Sequence, residues 1–389
     1  MSMNQLCRHF GQCGGCSFQD IPYEQQLAQK DARVRELLGA SIDADAIHPI
    51  QPSPSTVYYR NKMEYTLSRD MDSQVIVCGL HRTDRRKQIV DMKECLLFSE
   101  DVPALAEAVC GWANERGYSF FSTWSHKGFL RYMVVRKTHS TRELMVNIVT
   151  TSQDQPDTAA LLDRLTGLKT AYTLKSVYHT VSDATSDAVV PENVRLLWGQ
   201  ERLTERIQGL TFTISPFTFF QVNPAALEEF YPCLKEQAGL QSDDVVLDLY
   251  CGIGTIGLQL APRCKYVWGV EAVEDSVRDA FANAAANGIA NISFMAGDTR
   301  RILHEQETAW QGKVNVVVVN PPRSGISPRV VNRIINLNAR RIVYSSCNIG
   351  SMAADLRLLN ERYRPSFVKP FDFFPHTRHF EVLAILDRK

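Results

Sequence analysis

After Pro216 the chain alternates short apolar runs with helical stretches, and this alternation limits its fold more than any other feature. The apolar runs fall at 245–249, 266–270, 292–294, 314–319, 342–345 and 382–386, with helices expected near 224–238, 274–287, 328–337 and 350–362. Such runs, separated by helices, predict parallel strands covered on both faces, an α/β doubly wound sheet. The first strand leads into Asp248-Leu-Tyr250-Cys-Gly252-Ile-Gly254-Thr-Ile-Gly257, and Glu271 follows the second. The glycines have the spacing of a tight turn that lets backbone approach a cofactor, and the acid is placed for ribose hydroxyls.

Residues 57–214 read differently. Strand patterns at 75–80, 130–135 and 144–149, with helices near 101–117 and 156–168, suit an antiparallel sheet with helices laid on it. Ahead of them an amphipathic helix spans 22–39, and Pro49, Pro52 and Pro54 mark a linker. The expected organisation is therefore a cysteine-bearing segment with its helix (1–56), a strand-rich α+β domain (57–215) and the doubly wound domain (216–389).

Lys and Arg number 43 against 43 Asp and Glu, so any nucleic-acid contact needs a local basic face. No apolar stretch approaches a membrane span and the N-terminus lacks a secretory pattern, which points to a cytoplasmic chain. Its ten cysteines are then expected to be reduced. Cys7, Cys13 and Cys16 are closely spaced, and Cys95 is the candidate fourth of a set. Soft thiolates in that number select zinc or an iron–sulfur cluster, and spacing alone does not choose. Cys78, Cys110, Cys233 and Cys264 are read as packing.

The chemistry gathers near the C-terminus. Cys347 closes the strand at 342–345 in Ser346-Cys347-Asn348, Asn320-Pro-Pro-Arg323 ends the strand before it, and Phe374-Pro-His-Thr-Arg-His-Phe-Glu381 leads into the last strand. Asp248, placed to meet an amino-acid ammonium, Asp298, suited to the adenine side, and the Asn320 loop, where a transferred methyl would emerge, turn the glycine fingerprint towards S-adenosylmethionine rather than a nicotinamide. A lone thiol is usually a small core hydrophobe and a lone glutamate usually a surface ion pair. Together with the Asn320 loop they suggest a thiolate that attacks C6 of a flipped pyrimidine and a carboxylate that removes the C5 proton. A cytosine-C5 methyltransferase would use a similar thiolate in a different cysteine context. A dehydrogenase would need a hydride-transfer acid–base pair beside the glycine loop. An iron–sulfur nucleic-acid-binding protein without catalysis would have no use for both Cys347 and Glu381.

Five ordered motifs carry a resemblance over nearly the whole chain: Phe220-Gln221-Val222-Asn223, the glycine loop from Asp248, Asn320-Pro-Pro-Arg323, Ser346-Cys-Asn348, and Phe374-Pro-His-Thr377 leading to Glu381. They resemble the uracil-C5 methyltransferases of ribosomal and transfer RNA. The resemblance implies that Cys347 is the nucleophile and Glu381 the proton acceptor. Gln221, Tyr250, Glu271 and Asn320 match cofactor-contacting positions, beside Gly252, Gly254 and Asp298 of the fingerprint. Relatives often carry Asp where this chain has Asn320, so a charge-dependent role there is not expected. The resemblance also chooses a four-iron cluster for Cys7, Cys13, Cys16 and Cys95. With the cysteines starting at residue 7, the chain resembles compact members that lack an N-terminal barrel and act on a 23S ribosomal RNA uridine; uridine 54 of transfer RNA is the alternative. Arg60, Lys62, Arg82, Arg85, Arg86 and Arg131, with Lys127, Arg136 and Lys137, are the expected RNA face of the middle domain. RNA is the one partner expected, with no membrane and no obligate protein partner, and a monomer is assumed.

Overall fold

A computed structural model describes residues 6–39, 42–70, 73–85 and 87–389, which form two compact units. One holds the described residues up to Asp20 with Ser55–Glu205 and Ile214–Phe217; the other holds Ile21–Pro54, Arg206–Thr213 and Thr218–Lys389. The segment expected at 1–56 is thus divided. Helix α1 (Tyr23–Leu38) belongs to the second unit, because Val34 and Leu38 are buried in the same core as Leu359 and Val368.

The first unit is built on a seven-stranded sheet. Its strands are β1 (Lys62–Arg69), β2 (Ile76–His81), β3 (Ile89–Asp91), β4 (Leu130–Lys137), β5 (Glu143–Thr150), β6 (Thr173–Val181) and β7 (Asn193–Gly199), in the order β3-β2-β1-β4-β5-β6-β7. Helices α2 (Val102–Glu115) and α3 (Thr158–Thr166) bury Leu105, Val109, Trp112, Leu161 and Leu165 in one core with the strands. The antiparallel expectation fails at one pair: β5 and β6 run parallel. The chain between them returns through α3, and such a crossover joins parallel neighbours. Strands β8 (Leu203–Ile207) and β9 (Leu210–Ile214) then form a hairpin.

The second unit carries the doubly wound sheet. Strands β10 (Val245–Leu249), β11 (Tyr266–Glu271), β12 (Ile292–Ala296), β13 (Val316–Val319), β14 (Arg341–Ser346), β15 (Tyr363–Phe371) and β16 (Glu381–Arg388) lie in the order β12-β11-β10-β13-β14-β16-β15. The first five are parallel; β16 enters antiparallel to β14, and β15 is antiparallel to β16. All four valines of β13 are fully buried, as expected of a central parallel strand. Helices α4 (Pro224–Gln237), α5 (Thr255–Leu260), α6 (Glu274–Ala286), α7 (Thr299–Trp310), α8 (Pro328–Leu337) and α9 (Ile349–Leu359) connect or flank the strands. No helix among the described residues is long and apolar enough to cross a membrane.

Three elements of this unit, the six-residue α5, α7 and β15, were not expected from the sequence. Helix α7 is largely polar, burying only Thr299, Ile302, Leu303 and Trp310, so its apolar stripe is thin. Strand β15 contains Pro365 and Pro370, which argue against a central strand; it is the last strand of its sheet, where proline is tolerated. Residues 47–51 cover part of its outer edge: the His48 and Gln51 N–H groups donate to the Val368 and Pro370 carbonyls, each at 2.8 Å.

Helix α1 is also tied to the chain just after β15. Lys30 Nζ donates to Asp372 Oδ1 at 2.6 Å and to the Phe374 carbonyl at 3.2 Å, while Tyr23 Oη donates to Asp372 Oδ2 at 3.0 Å. The Lys30 and Asp372 side chains are 1% and 0% exposed. Removing one partner of such a pair strands the other charge out of water, so Lys30→Ala is expected to cost about 3–5 kcal/mol. Denaturant unfolding checks this, and the double variant Lys30→Met/Asp372→Asn should recover much of the loss. An unchanged midpoint for Lys30→Ala would show that the pair does not hold α1 in place.

Candidate active site

The turn after β10 is shaped by backbone conformations few residues accept. Tyr250, Gly252 and Gly254 have φ of 61°, 56° and 81°. A Cβ on Gly254 would stand 2.8 Å from the Phe294 ring, whereas one on Gly252 would meet nothing within 4 Å. Gly254 is therefore fixed by packing as well as conformation, and Gly252 leaves an open face. Glu271, at the end of β11, accepts from Gly252 N at 3.0 Å and from Val273 N at 2.9 Å through different oxygens. Each oxygen keeps a lone pair for a further donor.

Asp298 follows β12, caps α7 by accepting from Arg301 N at 3.0 Å, and is exposed. Asn320 follows β13 half-buried, beside the end of β10, with its N–H directed at the Leu249 carbonyl at 3.4 Å. Tyr250 is half-buried against the core, its phenol pushed up to about 12 by burial. Gln221 is half-buried two residues before Asn223, the fully buried cap of α4, whose amide also donates to Ser53 Oγ at 3.0 Å and the Phe373 carbonyl at 3.2 Å. An adenosyl group fits these residues: an open glycine face, a carboxylate with lone pairs for ribose hydroxyls, and a second exposed acid.

Asp248 needs correction. It was expected to meet an amino-acid ammonium, but it is fully buried under the turn, where Oδ2 accepts from Gly257 N at 2.9 Å. Burial, with smaller repulsion from Glu271, raises this carboxyl to about 7. One oxygen braces the turn, while the other, Oδ1, is buried with no hydrogen-bond partner.

Strand β14 delivers Cys347 and β16 delivers Glu381. Ser346 pairs with Val382, so one further step along the antiparallel register sets Cys347 opposite Glu381. Glu381 is 1% exposed, and Ser345 Oγ donates to its Oε1 at 2.5 Å. Burial raises the Glu381 carboxyl to about 7, with the Ser345 hydrogen bond opposing the shift. Cys347 is half-buried; burial and the Glu381 carboxylate push its thiol up, while the nearby Arg323 guanidinium pulls it down.

Arg323 is the residue whose role sequence reasoning missed, although the Asn320-Pro-Pro-Arg323 motif already contained it. Asn348 Nδ2 donates to the Arg323 carbonyl at 2.8 Å, linking its loop to the cysteine turn. Asp355 of α9 holds the same loop by accepting from Ile326 N at 3.0 Å and from Tyr344 Oη at 2.5 Å. On the other side α1 grips the approach to β16. The His376 N–H donates to Gln26 Oε1 at 2.9 Å, and His376 has φ of 64°. No local signal marks Gln26 or Lys30, whose partners lie some 340 residues away in sequence.

The cysteine set lies in the first unit. Cys13 Sγ accepts from Gly15 N at 3.3 Å and Cys16 Sγ from Gln19 Nε2 at 3.5 Å. Burial pushes the Cys13 thiol up to about 11 and also raises Cys7 and Cys16; proximity to Cys95 adds to each shift. Cys7, Cys13 and Cys16 thus each lie close enough to Cys95 for its charge to count. Among the described residues, no three His, Cys, Asp or Glu side chains form a ready site for a metal ion.

The expected RNA face is corrected in part. Arg131 is 2% exposed, and its guanidinium donates to the Ser182, Ala184 and Ser186 carbonyls at 2.6–2.7 Å, bracing the loop after β6. Arg136 and Lys137 are buried as well, on the Pro216 carbonyl and the Tyr58 carbonyl. Lys62 is paired with Glu64 at 2.5 Å and Arg82 with Asp84 at 2.9 Å. Arg60 is half-buried near Met63, Arg85 and Lys127 are exposed, and Arg86 lies outside the described residues.

The sequence profile of the tRNA (uracil-5-)-methyltransferase family matches residues 200–389. A protein named as an uncharacterized RNA methyltransferase of Caldanaerobacter subterraneus is 40% identical over 384 residues, 98% of this chain and 84% of its own length. One so named from Clostridium tetani is 35% identical over 385 residues, with the same shares covered. Among solved structures, the Pyrococcus abyssi tRNA (uracil-54, C5)-methyltransferase in complex with S-adenosyl-L-homocysteine aligns with a TM-score of 0.77 and 29% identity, over 96% of this chain and 86% of that one. Matched along nearly its full length, the chain belongs to the RNA (uracil-5-)-methyltransferase family and is an S-adenosylmethionine-dependent enzyme.

Proposed function

We propose that this enzyme methylates C5 of one uridine in 23S ribosomal RNA, in the cytoplasm, with Cys347 as nucleophile and Glu381 as proton acceptor. The register of β14 against β16, which sets the thiol opposite a buried carboxylate, is the observation that carries this reading. Uracil C5 is a weak nucleophile until a thiolate adds at C6 and the C5–C6 π electrons shift to C5. Arg323 beside Cys347 favours that thiolate. Gln221, Tyr250, Gly252, Gly254, Glu271, Asp298 and Asn320 would hold S-adenosylmethionine, which would supply the methyl that bonds to C5 as S-adenosylhomocysteine leaves. Glu381 then takes the C5 proton, the C5–C6 double bond re-forms, and the C6–S bond breaks to release Cys347. Ser345 holds the carboxylate in position throughout.

The four-cysteine set favours ribosomal RNA, through the resemblance to 23S-directed members of the family. The Pyrococcus neighbour favours the second reading, uridine 54 of transfer RNA, since that is the target its description gives. Binding without catalysis would leave the paired Cys347 and Glu381 unexplained. Cys7, Cys13, Cys16 and Cys95 would hold a four-iron cluster, since four soft thiolates suit it. The cluster's role in this reading is to tie the first residues to Cys95.

Tritium release from C5-tritiated uridine in 23S ribosomal RNA and transfer RNA transcripts tests the reaction. Release from the ribosomal RNA alone, abolished in Cys347→Ala, is expected; release from transfer RNA alone would transfer the assignment, and none from either would overturn it. The rate should climb as pH rises through about 7, because Glu381 acts only when ionised and its carboxyl is raised to about 7. The raised Cys347 thiol extends the climb to higher pH. A rate flat across that range would count against Glu381. Anaerobically purified protein should contain about four iron and four sulfide per chain, lost in Cys95→Ser; about one zinc instead would replace the cluster with a structural metal.

A further inference from the structure

We infer that the groove between α7 and α8 binds the phosphodiester backbone of the substrate RNA, next to the target nucleotide. The groove has a volume of about 640 Å³ and is lined by Arg300, Arg301, His304, Arg329 and Arg333 with two asparagines, and by no carboxylate. Arg300, Arg301 and Arg329 are exposed. Beneath them Glu307 accepts from Arg333 Nη1 at 2.6 Å and from Asn336 Nδ2 at 2.7 Å, which fixes α8 against α7 and holds those two side chains in place.

The exposed cations are held only loosely by acids of their own chain. Arg300 stands 3.9 Å from Asp298 and Arg301 3.6 Å from Glu305, all four side chains about half exposed. Ion pairs of that kind are weak and screened by salt, so a phosphate exchanges into them at little cost. Arg329 has no ion-pair partner among the described residues. A protein of zero net charge must gather its phosphate contacts locally, and Arg131, Arg136 and Lys137 are buried and so unavailable for that purpose.

Position supports the assignment. Helix α7 starts after β12 and α8 after β13, at the carboxyl ends of the parallel strands, where Asp298, Asn320 and Cys347 also stand. Helix α8 begins five residues after Arg323, whose positive charge acts on the Cys347 thiol. From Arg329 to Asn336 the helix rises about 10 Å, room for more than one phosphate. The inference rests on the reading of a uridine in RNA as the substrate and adds a second place where that RNA is held.

The test compares wild type with Arg300→Gln/Arg329→Gln and with the charge-retaining Arg300→Lys/Arg329→Lys. Filter binding of 23S ribosomal RNA and transfer RNA transcripts over a salt series gives the slope of log affinity against log salt. Steady-state methylation gives KM and kcat, and titration with S-adenosylhomocysteine reports the cofactor pocket. Loss of two phosphate contacts should reduce the slope by about 1.4 for single-stranded RNA and raise the RNA KM several-fold. The kcat and S-adenosylhomocysteine Kd should stay unchanged, and the lysine variant should restore the slope. An unchanged slope and KM would overturn the inference, as would a Kd for S-adenosylhomocysteine that weakens in step with KM. Wild type that binds RNA but releases no tritium would sink the uridine reading, while the slope comparison would still decide the groove.

Discussion

The antiparallel entry of β16 is the constraint on which the site depends. In a parallel sheet the strands present their carboxyl ends together, so a strand's first residue lies at the far end from its neighbour's last. Because β16 runs against β14, its first residue, Glu381, arrives where Cys347 leaves β14. The same reversal brings Ser345 within hydrogen-bond reach of the carboxylate. A one-residue slip in this register would send every side chain of β16 to the opposite face. The buried Val382–Ile385 run resists that slip, because both sides of the strand are packed.

What surrounds the pair controls its protons and its position. Glu381 sits where burial opposes ionisation, so its carboxyl is adjusted towards the pH at which a base both holds and releases a proton. Cys347 feels the opposite influences of Glu381 and Arg323. Asp355 with Tyr344 fixes the loop that carries Arg323, and α1 with Asp372 fixes the chain that leads to Glu381. The two reacting groups in our proposal are thus held from both sides by buried hydrogen bonds, not by the exposed loops themselves.

The doubly wound sheet was legible because six of its strands are short apolar runs and its first turn has glycines at 252, 254 and 257. Local pattern was silent where an element is polar or carries proline, hence the omission of α7 and β15. It also assigned α1 to the cysteine segment, since neighbours in sequence were taken as neighbours in space. At the site, Cys347, Glu381 and the glycine turn were visible as motifs. The mutual placement of Lys30 and Asp372 was not, because nothing local records a pair 342 residues apart. Charge misled at Arg131: a guanidinium reads as a surface cation in sequence, yet here it satisfies three carbonyls in the interior.

The central claim is that Cys347 bonds to the base and Glu381 is needed to let it go. Glu381→Gln, incubated with natural uridine-containing RNA and S-adenosylmethionine, tests both halves at once. Denaturing electrophoresis and peptide mass analysis should find RNA covalently attached through Cys347, accumulating because the C5 proton is not removed, and absent when Cys347→Ala is added to the variant. No covalent species, or attachment through a different cysteine, would contradict the account.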